Sequence, residues 1–191
     1  MKYHFYAMLS RMKNIYRWGL MRNTKSENLS EHSLETAYVA HALALIHNNR
    51  FGGNINADRI AVLALFHDTS EIITGDMPTP IKYYNPKIKS VYKEIESVAE
   101  EKLISMLPDY MKKDFSKIYN CSNEQMRRFV KAADKISAYI KCIEEMKMGN
   151  NEFSKAKDAT EKLIREMNMP EADVFLDEFI PSFYLSLDEQ K

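Results

Sequence analysis

Seven consecutive apolar residues, Ile60 to Phe66, run straight into His67-Asp68. With Asn56 ahead of it as an N-cap, this run predicts a central helix buried on most sides, with the His-Asp pair at its C-terminal end. A buried helix needs other elements packed around it, and the flanking sequence supplies helices. Residues 3–15 set Phe5, Met8, Leu9 and Met12 at helical spacing. Residues 16–30, around Trp18-Gly19, read as a loop. Ser30 as a cap, with Glu31 in the first turn, predicts a second helix running to about His47 and stopping before Phe51-Gly52-Gly53. Further helices are expected over 87–107, 108–119, 124–148, 152–168 and 171–180. No segment alternates convincingly as a strand. Only five Gly and six Pro interrupt 191 residues, which favours long helices. The expectation is an all-α chain forming a single domain, with its core over about 28–140.

Charge and cysteine content narrow the function classes. Lys+Arg and Asp+Glu balance at 27 each, so the basic excess that grips a long phosphate backbone is lacking, and neither DNA nor RNA polymer is an expected partner. A small anion held by one or two local cations remains open. The two cysteines, Cys121 and Cys142, form no CxxC pair and no disulfide framework. The longest apolar run is too short to span a membrane. The N-terminus lacks a signal-peptide stretch, so a cytoplasmic location is expected.

The chemistry-bearing residues start with His67-Asp68. An imidazole and a carboxylate side by side suit a first-row divalent metal. His32 stands at the start of the expected second helix. Asp134 lies at the edge of an amphipathic stripe that includes Phe129, Val130, Ala133, Ile136 and Ile140. A carboxylate beside an apolar face is costly unless paired or metal-bound. Pairing with Lys131 or Lys135 is the plainer alternative. Glu71 follows His67 by four and Asp68 by three, so continued helical geometry would place it on their face, where it could move a proton. A solvated helix glutamate is the alternative there. The stretch Thr74-Gly75-Asp76-Met77-Pro78-Thr79-Pro80 reads as a stiff turn. His41 and His47 are expected to pack or face solvent, and the twelve Met to fill the core.

The ordered set His32, His67-Asp68 and Asp134 matches the H…HD…D signature of the HD superfamily. The segments Arg17–Asn23, Glu31–Leu34, His67–Glu71, Thr74–Pro80, Gly149–Phe153 and Pro181–Glu189 resemble, more narrowly, the bacterial HD-domain 5'-deoxynucleotidases. The likeness covers nearly the whole chain.

That resemblance implies a compact helical bundle and an enzyme hydrolysing 2'-deoxynucleoside 5'-monophosphates to deoxynucleoside and phosphate. It implies one divalent metal per subunit, bound by His32, His67, Asp68 and Asp134, with cobalt preferred and manganese or copper as substitutes. The ion would acidify a water and screen phosphoryl charge. Glu71, Arg17 and Asp76 fall at catalytic positions. Arg17, Trp18, His32, Asp68 and the Asp76, Met77, Pro78, Thr79 turn fall at substrate-contacting ones. Arg17 corresponds to the phosphate-orienting arginine and Trp18 to the residue packed on the sugar. Taken alone, they would read as a surface arginine and a core tryptophan. The family is dimeric, so a homodimer is expected. Alternatives are a deoxynucleoside triphosphohydrolase, which would need further cations, a cyclic-nucleotide phosphodiesterase, or a silent nucleotide-binding protein on the same fold.

Overall fold

The computed structural model describes residues 2–82 and 84–190, without the side chains of Thr79 and Lys82. Its helices are α1 (Phe5–Leu9), α2 (Leu29–Arg50), α3 (Ala57–Leu65), α4 (Glu71–Thr74), α5 (Thr79–Lys82), α6 (Pro86–Ser105), α7 (Asp109–Tyr119), α8 (Glu124–Lys147), α9 (Ser154–Arg165) and α10 (Pro170–Glu178). Among the described residues there is no strand, and the one extended pairing is a bridge between Tyr16 and Asn28. No helix is long and apolar enough to cross a membrane.

Three local expectations need correction. Asn28, not Ser30, caps α2, since its side chain accepts the N–H groups of Ser30 and Glu31 while Glu31 reaches back to the Asn28 N–H. This reciprocal box requires a Glu or Gln acceptor three positions after the cap, a spacing that Asn28 meets with Glu31. The helix ends at Arg50, before Phe51 as expected and three residues past His47, because no breaker intervenes before Gly52 at φ +67°. The apolar run is not buried on most sides. Ile60, Leu63 and Ala64 face inward, whereas Leu65 is 37% exposed. α3 covers only one flank of the bundle, and it ends at Leu65, so His67-Asp68 stand in the following turn. The capping role of Asn56 is as expected, with its side chain accepting the Arg59 N–H.

The ends of other helices tighten. Residues 10–14 and 151–153 are 3-10 turns leading out of α1 and into α9. The stiff turn after α4 gives way at Thr79 to the short α5.

The main core joins α2, α3, α8, α9 and α10 through Leu43, Ile60, Ile136, Ile140, Ile164 and Phe175. Burying each such side chain contributes about 1.5–3 kcal/mol, and truncating one to Ala would cost about 2–5 kcal/mol. A second cluster, Phe5, Leu103, Leu107 and Phe115, ties α1 to α6 and α7. The packing that matters for function is at the crossing of α2, α3 and α8, each of which touches the other two. The small residues Ala132 and Ala133 of α8, fully buried beside Ala40 and Ala44 of α2, allow the close approach. Asp134 follows them directly.

Candidate metal centre

His32 lies in the first turn of α2, and the capping box fixes its facing by fixing where the helix starts. His67 and Asp68 follow α3 in a tight turn, closed by the Phe66, His67 and Thr69 N–H groups bonding carbonyls three residues back at 3.3–3.4 Å. Asp134 sits midway along α8. These four residues converge, each offering a donor atom, with all donor atoms within 4.8 Å of one another. His32 Nε2 is 3.2 Å from Asp134 Oδ1 and 3.6 Å from Asp68 Oδ2. His67 Nε2 is 3.0 Å from Asp68 Oδ2 and 3.9 Å from Asp134 Oδ1. Donors about 2.1 Å from one ion stand about 3–4.2 Å apart, so the spacing suits a single cation.

The imidazoles are prepared for that role. His67 Nδ1 lies 2.7 Å from the Ala64 carbonyl, which only an N–H can satisfy, so the Nδ1–H tautomer leaves Nε2 as a lone-pair donor. That Nε2 is buried and makes no hydrogen bond, its contact with Asp68 being misaligned for one. His32, fully buried, presents Nε2 to the carboxylates and Nδ1 to the Ser137 hydroxyl at 3.2 Å. Two nitrogens and two carboxylate oxygens fit a first-row divalent ion. Without one, charge is balanced by protons. Burial pushes the Asp68 carboxyl up, but His67 outweighs it and holds it at about 2. Asp134, half-buried, is held well below the carboxylate range by His32 and His67, which outweigh its desolvation. Burial works against a charged His67, yet Asp68 and Asp134 raise it well above the ordinary imidazole value. A cation entering here displaces a proton.

Arg17 is not a surface arginine. Its side chain is 12% exposed, and the guanidinium reaches Asp68 Oδ2 at 3.5 Å and Glu27 Oε2 at 3.2 Å. Burial would lower its pKa, but Asp68, Asp134, Glu27 and Asp76 together raise it. Trp18 has φ +60°, a left-handed conformation that costs roughly 1–3 kcal/mol for such a residue. It is held there by Nε1 donating to Glu27 Oε2 at 2.9 Å and by the Phe153 ring at 5.3 Å. Glu71 opens α4 as a buried carboxylate, its N–H donating to the Asp68 carbonyl at 3.0 Å. Asp76 lies close enough to act on Arg17. Met77 lines an apolar cavity of about 260 Å³ against Ile88, Val91, Tyr92 and Ile95 of α6. The Pro78 carbonyl accepts the Ile81 N–H at 2.9 Å. The Thr79 side chain lies outside the described residues.

Several partners were not anticipated from sequence. Glu27 grips both Arg17 and Trp18, and Ser137, which supports His32, donates to Glu35 at 2.7 Å. Glu35 is raised to about 7, burial being the main cause, moderated by that bond. Ser137 was within reach of inspection, one helical turn after Asp134. Glu27 and Glu35 carry no signal beyond their neighbourhood. A second cavity of about 280 Å³ reaches His67 and Asp134 and is also lined by Arg127, Lys131 and Glu100. Two cations thus line the same cavity as His67 and Asp134.

Comparison with known proteins gives the family. A family model described as 5'-deoxynucleotidase YfbR-like matches residues 4–183. A 5'-deoxynucleotidase of Vibrio vulnificus (strain YJ016) is 56% identical over 188 residues, covering 97% of each chain. A 5'-deoxynucleotidase of Yersinia pestis (strain Pestoides F) is also 56% identical, over 97% of this chain and 95% of its own. Among solved structures, an HD-domain phosphohydrolase from Listeria innocua superposes with a TM-score of 0.82 at 22% identity, over 96% of this chain and 90% of that one. The cyanophage S-2L HD phosphohydrolase DatZ, bound to dA and one catalytic Zn2+ ion, gives 0.67 at 18% identity, over 93% of this chain and 95% of that one. These two likenesses speak to the fold. The extended sequence matches speak to the family, and the chain belongs to the YfbR-like 5'-deoxynucleotidases.

Proposed function

We propose that this chain is a 5'-deoxynucleotidase that hydrolyses 2'-deoxynucleoside 5'-monophosphates at one divalent ion held by His32, His67, Asp68 and Asp134. The observation that carries the reading is the convergence of these four donors within 4.8 Å, in a chain 56% identical to proteins named for that activity. The bound ion supplies charge neutralisation for the phosphoryl group and acidifies a water.

The remaining work falls to side chains. Arg17 offers a planar fork to phosphate oxygens and is held in place by Glu27 and Asp68. Phosphoryl transfer depends mainly on such positioning and charge compensation. Glu71 takes a proton from the attacking water as its oxygen bonds to phosphorus, and returns a proton to O5' as the P–O5' bond breaks. One water is consumed and Glu71 is regenerated. Asp76 and Thr79 border the substrate along the turn after α4, with Met77 and Pro78 shaping it. Trp18 closes the sugar side against a 2'-hydroxyl. His32 and Asp68 touch substrate as well as metal. Cobalt is the preferred ion by resemblance, with manganese or copper as substitutes. The working form on the same ground is a cytoplasmic homodimer in which residues 1–191 act as one unit.

The cavity bearing Arg127 and Lys131 favours a second reading, triphosphate hydrolysis. Glu124 pairs with Arg127, and Glu100 lines the same cavity, so the local charge is balanced, and the monophosphate remains the better fit. The test strips the protein with a chelator, restores cobalt, and follows products from deoxyadenosine monophosphate, adenosine monophosphate and deoxyadenosine triphosphate. Cobalt-dependent phosphate release from the first is expected. Inorganic triphosphate from the third, with no turnover of the first, would establish the second reading instead.

A further inference from the structure

Eleven residues beyond Asp134 on α8, the carboxylate of Glu145 is fully buried. It accepts the backbone N–H of Thr24 at 2.8 Å, that of Lys25 at 3.1 Å and the Asn150 amide at 2.8 Å. It also pairs with Lys141, itself buried, whose ammonium donates to the Lys25 carbonyl as well. The turn after α8 holds the same segment. Asn150 donates to the Arg22 carbonyl at 2.7 Å and Glu152 accepts the Arg22 N–H at 3.2 Å. Phe153 completes the contact by packing on Trp18. Backbone groups of Arg22, Thr24 and Lys25 are thus taken up by side chains from α8 and residues 150–152. Asn23 ties the segment back to the carbonyls of Trp18 and Met21.

A buried ion pair adds little net stability compared with apolar residues of similar size, because desolvation offsets most of the attraction. Stability alone is therefore a weak reason for Lys141 and Glu145. Apart from their mutual pair and Asn150, their hydrogen bonds end on one loop, the loop whose start is Arg17-Trp18 and whose end is Glu27. We propose that Glu145, with Lys141, is the positioning residue of this loop. It sets where Arg17 and Trp18 stand relative to the metal centre, and so governs phosphate affinity and rejection of a 2'-hydroxyl without touching substrate. The Glu145 carboxyl meets both requirements of such an anchor, since burial is outweighed by Lys141, Thr24, Asn150 and Lys25, which hold it ionised with a pKa of about 2. The inference rests on the substrate roles given above to Arg17 and Trp18.

The test is steady-state kinetics of the cobalt-loaded protein on deoxyadenosine and adenosine monophosphates, with cobalt affinity measured separately by calorimetry. Glu145→Gln keeps the side-chain size and removes the charge. It is expected to raise KM for the deoxynucleotide about tenfold or more and to lower the deoxy-to-ribo preference, with kcat within about threefold and cobalt affinity within about twofold. Asn150→Ala, which removes the bonds to Arg22 and to Glu145 but leaves the Lys141–Glu145 pair, is expected to shift KM and preference in the same direction and decides the matter if Glu145→Gln does not fold. A merely structural role would lower the active fraction, and hence kcat, while leaving KM and preference unchanged, and that result overturns the proposal. Arg17→Ala and Trp18→Ala run alongside. If neither moves KM or preference, the substrate reading of the loop fails. If they do while Glu145→Gln and Asn150→Ala do not, the anchor alone fails.

Discussion

Nδ1 of His32 lies 3.2 Å from the Ser137 hydroxyl oxygen, and that hydroxyl spends its proton on Glu35, 2.7 Å away. The serine oxygen is therefore an acceptor toward His32, which fixes a proton on Nδ1 and leaves Nε2, facing Asp134 and Asp68, as the nitrogen a bound cation would take. Asp134 and Ser137 are three positions apart on α8, so one helix face supplies both a proposed ligand and the support of another. Ser137→Ala is expected to weaken cobalt binding about 10- to 100-fold, the usual effect of losing a hydrogen-bond partner behind a metal ligand. Competition with a chromogenic chelator measures it, and affinity equal to wild type would remove Ser137 from this role.

Removing a ligand outright has a larger effect. His67→Ala and Asp134→Ala each delete one of four protein donors, and both are expected to lose metal retention and turnover together. Metal analysis after gel filtration reads the first and phosphate release the second. A variant that keeps its cobalt and its rate is not missing a ligand.

Glu71 separates chemistry from binding. Glu71→Ala is expected to hold cobalt normally and to lose about 100- to 10,000-fold in kcat, the range for a general acid–base group. Loss of metal in this variant would make Glu71 a ligand, and an unchanged rate would leave it without function.

The Glu145 anchor carries a pH signature. Its folded pKa of about 2 lies below the ordinary 4.5, so its contribution is fully present above pH 4.5 and is lost as pH falls toward 2. The stability difference between wild type and Glu145→Gln is expected to be on the order of 2–3 kcal/mol near neutrality and to shrink through that window. Denaturant unfolding of both metal-free proteins between pH 6 and pH 3 checks it, since the shared contribution of Asp68, also held near 2, cancels in the difference. A gap independent of pH would mean that the charge does not matter there.

The helices were legible because few breakers interrupt them and because Asn56 announces its cap plainly. The convergence of His32, His67, Asp68 and Asp134 was legible because His-Asp after an apolar run, with His32 before and Asp134 beyond, forms a spaced pattern. What escaped depends on tertiary contact. Ser30 suits a cap by residue type, and it is the Glu31 side chain reaching back to the Asn28 N–H that sets the cap at Asn28. Lys141 and Glu145 are an ordinary four-residue helix pair in sequence, and only the loop folded over them makes them buried. Glu35 and Ser137 are 102 residues apart, and nothing local joins them.

The central claim is that one ion, held by His32, His67, Asp68 and Asp134, enables removal of phosphate from a deoxynucleotide. Titrating the metal-free protein with cobalt, while measuring both bound ion and phosphate release from deoxyadenosine monophosphate, tests it most directly. The account predicts activity rising in proportion to occupancy and levelling at one cobalt per chain. Turnover before any cobalt is bound, or saturation at two ions per chain, would contradict it.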